Sequence, residues 1–323
     1  MEWKFYQPKF EYEEKFKDAG WPWVGHKYFA YDLIANIKPK RIVELGTHYG
    51  TSLWSFAQSV KDQQIDTEIN AVDTWKGEKH AGFYGEKVFE TVKQIKNECY
   101  PKLKINLIRK TFDEAVSDFA DGSIDILHID GLHTYEGVKH DYEAWKNKVK
   151  DDGIILFHDV FVKENDFGVY RLWDELKKNH SFIEFSHSYG LGVLFLDEKK
   201  GSEIKEIMEN LQMHYAYLHG LRQYEEIQNL LSTVEEKKEE LKKKADSCKY
   251  EIEEAMVSYQ NLVREEKEKN KQKEQVIQQK EEVIQQKERE IRQKEREIKA
   301  MKSSKFWKMR NRYISLKSKL GIK

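Results

Sequence analysis

The sequence predicts an α/β protein: a doubly wound, mostly parallel sheet of seven strands with a C-terminal antiparallel hairpin, followed by a long α-helical, coiled-coil-like tail. Three observations carry this expectation. From Arg41 to Leu196, apolar runs of strand length alternate with amphipathic stretches of helix length, the order expected of βαβ units. All four prolines (Pro8, Pro22, Pro39, Pro101) lie in the first third, and neither Gly nor Pro occurs between Gly220 and Gly321. Ile277, Ile284, Ile291 and Ile298 recur at the spacing of coiled-coil seams.

The elements follow in order. Arg41-Ile42-Val43-Glu44-Leu45 reads as the first strand, a glycine-containing turn follows, and a helix runs from Thr51 to Val60. Glu68 to Asp73 is the second strand and ends in an acid; Phe83 to Asn97 is helical; Lys104 to Arg109 is the third strand. Phe112 to Phe119 forms a short helix, Ile124 to Asp130 the fourth strand, Gly137 to Val149 a helix, and Gly153 to Asp159 the fifth strand. After a helix from Val169 to Asn179, Phe182–His187 and Gly192–Leu196 flank Ser188-Tyr189-Gly190-Leu191 and read as a hairpin, hence antiparallel strands at one sheet edge. The globular part is expected to span residues 1–200, a long charged helix 201–300, and a basic amphipathic helix 301–323.

The net charge of −1 gives the whole chain no bias toward nucleic acid or acidic surfaces. Cys99 and Cys248 fall in different regions, which argues against a disulfide framework or a zinc cluster and fits a reducing cytoplasm. The N-terminus lacks a signal-like apolar run, and no stretch is apolar for the roughly 18 residues of a membrane span. A cytoplasmic location is the expectation.

Three acids, Asp73, Asp130 and Asp159, close strands, and ligands of open α/β sheets bind at the carboxyl ends of the strands. A lone acid there is commonly a helix cap or a solvated loop carboxylate. Three of them, with His133 beside Asp130, read as one site. Glu44-Leu45-Gly46-Thr47-His48-Tyr49-Gly50 joins the first strand to a helix, so backbone can approach a ligand and the helix offers unpaired N–H groups. Asp73, ending the next strand, can accept the hydroxyls of a ribose. Together they point to a nucleoside cofactor.

These residues resemble the class I S-adenosylmethionine-dependent methyltransferases, over about residues 25 to 198. The glycine pattern departs from the dinucleotide fingerprint, and the terminal hairpin is that family's mark. The resemblance implies that Glu44, Gly46 and Gly50 contact the methionine part of S-adenosylmethionine, that Asp73 holds the ribose, and that Thr111 and Phe112 face adenine. Leu127-His128-Ile129-Asp130-Gly131-Leu132-His133, with Asp141 and Phe157-His158-Asp159, is similar to small O-methyltransferases of the macrocin-type sugar group. That resemblance implies a magnesium ion on Asp130 and Asp159, His133 as general base, and a sugar or glycan-related hydroxyl as acceptor. No position matches the third carboxylate ligand of that group.

The residues support such chemistry in their own right. A hard cation held by carboxylates lowers a hydroxyl's proton affinity, and a histidine takes the proton near neutral pH. His133 could instead be a loop histidine bonded to a carbonyl; His128, inside a strand, reads as structural; His158 is either an orienter of Asp159 or strand filling. Trp75, His80, Tyr84 and Tyr189 could stack on an acceptor or belong to core and lid packing. Two other readings remain: an inactive methyltransferase-like tether, and a metal-dependent hydroxylase or hydrolase on a similar scaffold.

The tail's isoleucine repeat fills one core position, while Lys280, Lys287 and Lys294 take the other, so it serves either as a weak homo-oligomerisation arm or as a solvated helix held by Glu/Lys pairs. No acid follows Glu297, whereas nine Lys or Arg fall between Lys299 and Lys323. Phe306, Met309, Tyr313, Leu316 and Leu320 make one apolar stripe on that basic helix. Such a helix lies on an anionic membrane surface, docks in a partner groove, or packs on its own protein. Nucleic acid is not expected as a partner, since the rest of the chain has no basic stripe.

Overall fold

The computed structural model describes residues 3–15, 23–78, 82–208 and 212–319. In chain order, a short helix α1 (Glu11–Lys15) and a 3-10 turn (Trp23–His26) lead into α2 (Lys27–Ile37) and the first strand, β1 (Arg41–Leu45). Then come α3 (Thr51–Asp62), β2 (Glu68–Val72), a two-stranded ribbon of β3 (Gly77–Glu78) and β4 (Gly82–Phe83), α4 (Glu86–Cys99), β5 (Lys104–Ile108) and α5 (Phe112–Ala115). β6 (Ile124–Ile129), α6 (Tyr135–Trp145), β7 (Val149–His158), α7 (Val169–Leu176), β8 (Ser181–Phe185) and β9 (Leu191–Phe195) complete the sheet region. Three helices follow: α8 (Glu198–Met208), α9 (Gln212–Ser303) and α10 (Lys305–Lys319).

The expected sheet forms, with seven strands in the order β5-β2-β1-β6-β7-β9-β8. Neighbours from β5 to β7 pair parallel, and β9 runs antiparallel between β7 and β8. The chain steps outward from β1 through β2 to β5 and then returns to place β6 against the other side of β1. That reversal opens a crevice at the carboxyl ends of β1 and β6, where doubly wound sheets bind ligands.

Central parallel strands are covered on both faces, so they read as near-continuous apolar runs. Successive side chains enter opposite layers. Ile42, Ile126, Ile154 and Leu156 pack with α2 and α3 through Leu33, Leu53 and Phe56. Val43, Leu127, Ile129, Ile155 and Phe157 pack with α6 and α7 through Trp145 and Trp173.

Phe83, expected to open a helix, sits instead in the short ribbon, because Gly82 at φ +80° turns the chain and Gly85 delays the helix to Glu86. The first compact unit ends at Leu230, beyond the boundary drawn from composition near residue 200. Tyr215 explains the difference: it is buried, its hydroxyl donates to Asp32 Oδ2 at 2.7 Å, and it accepts from Trp3 Nε1 at 3.2 Å. The second unit, from Leu231, is helical, and a bend at Ser304 divides α9 from α10. Among the described residues, no helix is long and apolar enough to cross a membrane.

Candidate active site

The floor of the site is the turn between β1 and α3. Gly46 and Gly50 adopt φ of +89° and +84°, and His48 between them is also left-handed at +51°. Gly46 is required by proximity as well as by conformation, since a Cβ there would stand 1.9 Å from the backbone oxygen of Asp130. Asp73 organises this turn: Oδ2 accepts from the backbone N–H groups of Thr47 and His48, each at 2.9 Å, and Oδ1 accepts from Trp75 N at 2.7 Å.

A cavity of about 600 Å³ opens above the turn. Of the residues singled out from sequence, Gly46, Gly50, Asp73, Thr111, Phe112, Asp130, His133 and Asp159 all line it. Glu44 does not. It is fully buried in the α2/α3 layer, where Oε1 accepts from the Ser52 hydroxyl and lies 3.1 Å from His128 Nδ1. His128 Nε2 accepts from Trp23 Nε1 at 3.1 Å, which leaves the ring proton on Nδ1 to be donated to Glu44. His128 is thus a structural bridge inside the strand, as its position suggested. Thr111 caps α5: its hydroxyl accepts from Glu114 N, and Glu114 in turn accepts from Thr111 N.

Asp130 and Asp159 extend from the ends of the adjacent strands β6 and β7. His133 reaches back between them from the loop before α6, its Nε2 2.9 Å from Asp159 Oδ2 and 3.5 Å from Asp130 Oδ1. Its ring stacks on Phe167 with centroids 5.0 Å apart, and its carbonyl accepts from Gly168 N at 2.7 Å. One ligand atom from each of Asp130, His133 and Asp159 lies within 4.8 Å of the others. Two hard carboxylate oxygens and one imidazole nitrogen facing a cavity are a donor set that suits a divalent cation. Asp159 adopts φ +63°, a left-handed conformation that Asp tolerates better than most residues and that aims its carboxylate at this cluster.

Behind the acids stands His158, fully buried. Its Nε2 donates to Ser188 O at 3.1 Å, and its Nδ1 lies 3.4 Å from Asp130 Oδ1 and 3.5 Å from Asp159 Oδ2. Burial by itself would lower its pKa, but Asp130 and Asp159 raise it to about 10, so the ring is an imidazolium. Burial likewise pushes both acids up. For Asp130 the His158 charge and hydrogen bonds from His133 and His158 outweigh it and hold the carboxyl well below the usual carboxylate range; the same partners lower Asp159. His158 therefore orients both acids.

Of the aromatic residues considered for acceptor contact, Tyr84 and Tyr189 line the cavity. Trp75 is buried against Phe89 with its Nε1 donating to His48 O at 3.1 Å, and His80 lies outside the described residues. Trp23, Val162, Glu164 and Phe167 line the cavity without having been anticipated. Trp23 comes from a segment more than 100 positions before its partner His128, and nothing local in the sequence marks it.

Residues 43–160 match a family model described as a methyltransferase domain. The uncharacterized protein y4gI of Sinorhizobium fredii (strain NBRC 101917 / NGR234) is 44% identical over 191 residues, covering 59% of this chain and 20% of that protein. The chain thus spans about a fifth of the length of this curated relative. Solved structures similar to this chain include the SAH-bound methyltransferase PaMTH1 of Podospora anserina, at 15% identity and TM-score 0.42, covering 53% of this chain and 77% of that one. Another is the O-methyltransferase TomG of Streptomyces achromogenes, involved in tomaymycin synthesis and in complex with SAM, at 12% identity and TM-score 0.42, covering 59% and 91%. The match to the methyltransferase-domain family model runs from β1 to just past the end of β7, and the antiparallel hairpin completes the sheet after it.

Proposed function

We propose that this protein is an S-adenosylmethionine-dependent O-methyltransferase that acts on a hydroxyl of a sugar or glycan-related acceptor with the help of a divalent cation. The observation that carries the reading is the convergence of Asp130, His133 and Asp159 on the cavity that also holds the glycine turn. When bound, the sulfonium supplies the activated methyl and the cation lowers the proton affinity of the acceptor hydroxyl.

The chain's own residues do the rest. The glycine turn brings backbone against the cofactor. Asp73 already accepts three N–H groups and, with roughly four acceptor sites on a carboxylate, keeps capacity for one ribose hydroxyl. Asp130 and Asp159 would hold the cation, magnesium being the hard ion expected, and His158 keeps both ionised and aimed. His133 takes the acceptor proton, since the imidazolium His158 has no site for one; with the cation on Asp159, Nε2 would give up its hydrogen bond to that carboxylate and, with the ring proton on Nδ1, be free to accept. Tyr84 and Tyr189 offer apolar faces to an acceptor ring.

Calorimetry with S-adenosylmethionine, followed by transfer of labelled methyl to a panel of polysaccharide precursors with and without a chelator, tests the reading. No uptake of the cofactor removes the enzyme; uptake with transfer to non-sugar hydroxyls alone removes the acceptor class; transfer indifferent to chelator removes the metal.

For location we propose contact of α10 with an anionic membrane surface. Phe306, Met309, Tyr313 and Leu316 are exposed on a helix whose charged residues are all basic. Leu320, the last position of the stripe read from sequence, lies outside the described residues.

A further inference from the structure

Between Leu231 and Leu262, α9 carries a second apolar seam, upstream of the isoleucine repeat and better filled. Leu231, Val234, Lys238, Leu241, Ala245, Cys248, Ile252, Ala255, Tyr259 and Leu262 follow one another at alternating spacings of three and four, and Lys238 alone among them is charged. This is an a/d heptad pattern, the spacing that keeps one stripe facing a partner helix. Every one of these residues is exposed; Leu241 is 65% accessible, Ile252 60% and Leu262 61%. A contiguous apolar stripe of this length left in water marks an interaction surface. The later isoleucines do not continue it: the spacing passes through the charged Glu266, Lys269 and Lys273 before it reaches Val276, and Ile277 stands one position out of phase.

We propose that this seam is where a second copy of the chain docks, as an antiparallel two-stranded coiled coil. The argument for a second copy is self-complementarity. Laid in opposite directions with Leu231 against Leu262, two seams pair Val234 with Tyr259, Leu241 with Ile252 and Ala245 with Cys248, so large residues meet large and small meet small. The lone charge, Lys238, then meets Ala255, whose short side chain lets the lysine stem run past it to water. A parallel, in-register pair would instead set Lys238 against Lys238 in the core. Each contact in the antiparallel pair occurs twice, related by a two-fold axis, which is the geometry of a closed dimer. The proposal does not depend on the methyltransferase reading.

Sedimentation of the full chain at micromolar concentration is expected to give a dimer mass. Leu241→Asp with Ile252→Asp is expected to halve that mass, whereas Tyr250→Asp with Val257→Asp, exposed on the same helix but off the seam, leaves it unchanged. Ala245→Cys should form a covalent dimer with Cys248 of the second copy under mild oxidation without disturbing the helix. Wild type, whose Cys248 residues are offset along the pair, should not. A monomeric wild type, including one whose seam belongs to a different helical partner, overturns the proposal. So does equal loss of dimer in the off-seam variant, or a wild-type disulfide dimer through Cys248.

Discussion

His133 Nε2 and Asp159 Oδ2 stand 2.9 Å apart although they are carried by loops that leave two different strands, β6 and β7. The pairing of those strands, Ile129 beside Phe157, brings the loops together. Two single substitutions should therefore separate base from cation holder. Asp159→Asn is tolerated at φ +63° because Asn shares the left-handed preference of Asp, so it should leave the fold and S-adenosylmethionine uptake intact while abolishing divalent-cation binding by calorimetry. His133→Gln should retain cation binding and lower transfer by about 10²–10⁴-fold, the range of a general base. Loss of the cation in His133→Gln would make His133 a ligand.

Gly46→Ala should be far more damaging than Gly122→Ala. Both glycines have positive φ, but a Cβ at Gly46 meets the Asp130 backbone at 1.9 Å, and at Gly122 it meets nothing within 4 Å. The expected losses in unfolding free energy are at least about 2 kcal/mol for Gly46→Ala and about 1 kcal/mol for Gly122→Ala. Denaturant midpoints check this, and Gly46→Ala should also lose cofactor uptake.

Stability should fall as the solution becomes more alkaline from mildly acid pH, through Asp32. Burial raises this carboxyl to about 7, against 3.8 unperturbed, with the Tyr215 hydroxyl and the Tyr6 N–H only partly offsetting it. The folded state keeps a proton that the unfolded chain has already released, so this group's contribution is full below the unfolded value and is lost as pH rises toward 7. Its share cannot exceed about 1.4 kcal/mol per pH unit. Asp32→Asn should flatten the melting temperature between about pH 4 and about pH 7, the window set by the unfolded and folded values of this carboxyl; an unchanged profile would place the titrating group elsewhere.

Deleting residues 301–323 should release the protein from vesicles rich in anionic lipid and leave turnover on a soluble acceptor unchanged. Added salt should weaken binding of the full chain, because screening acts on exposed charges. Cosedimentation that survives the deletion would refute contact through α10.

The legible parts of this protein are those whose evidence is local. β1, β6 and β7 are buried on both faces and so appear as apolar runs, and the acids that close them, Asp130 and Asp159, are visible because a charge ends each run. The heptad spacings in α9 are periodic and equally readable. Helix starts were less so: Gly82 and Gly85 displaced one from Phe83 to Glu86.

Sequence by itself thus determined the α/β order, the position of the glycine turn and the acids at the strand ends. Only the tertiary structure decided that Glu44 sits beneath the cavity with His128 while Trp23 closes the same network. It also decided that His158 is the cation behind both acids, and that Tyr215 returns to Asp32 and Trp3. The reason is distance along the chain. Trp3 and Tyr215 are 212 positions apart and Trp23 and His128 are 105 apart, and such partners leave no pattern in either neighbourhood until the sheet has brought them together.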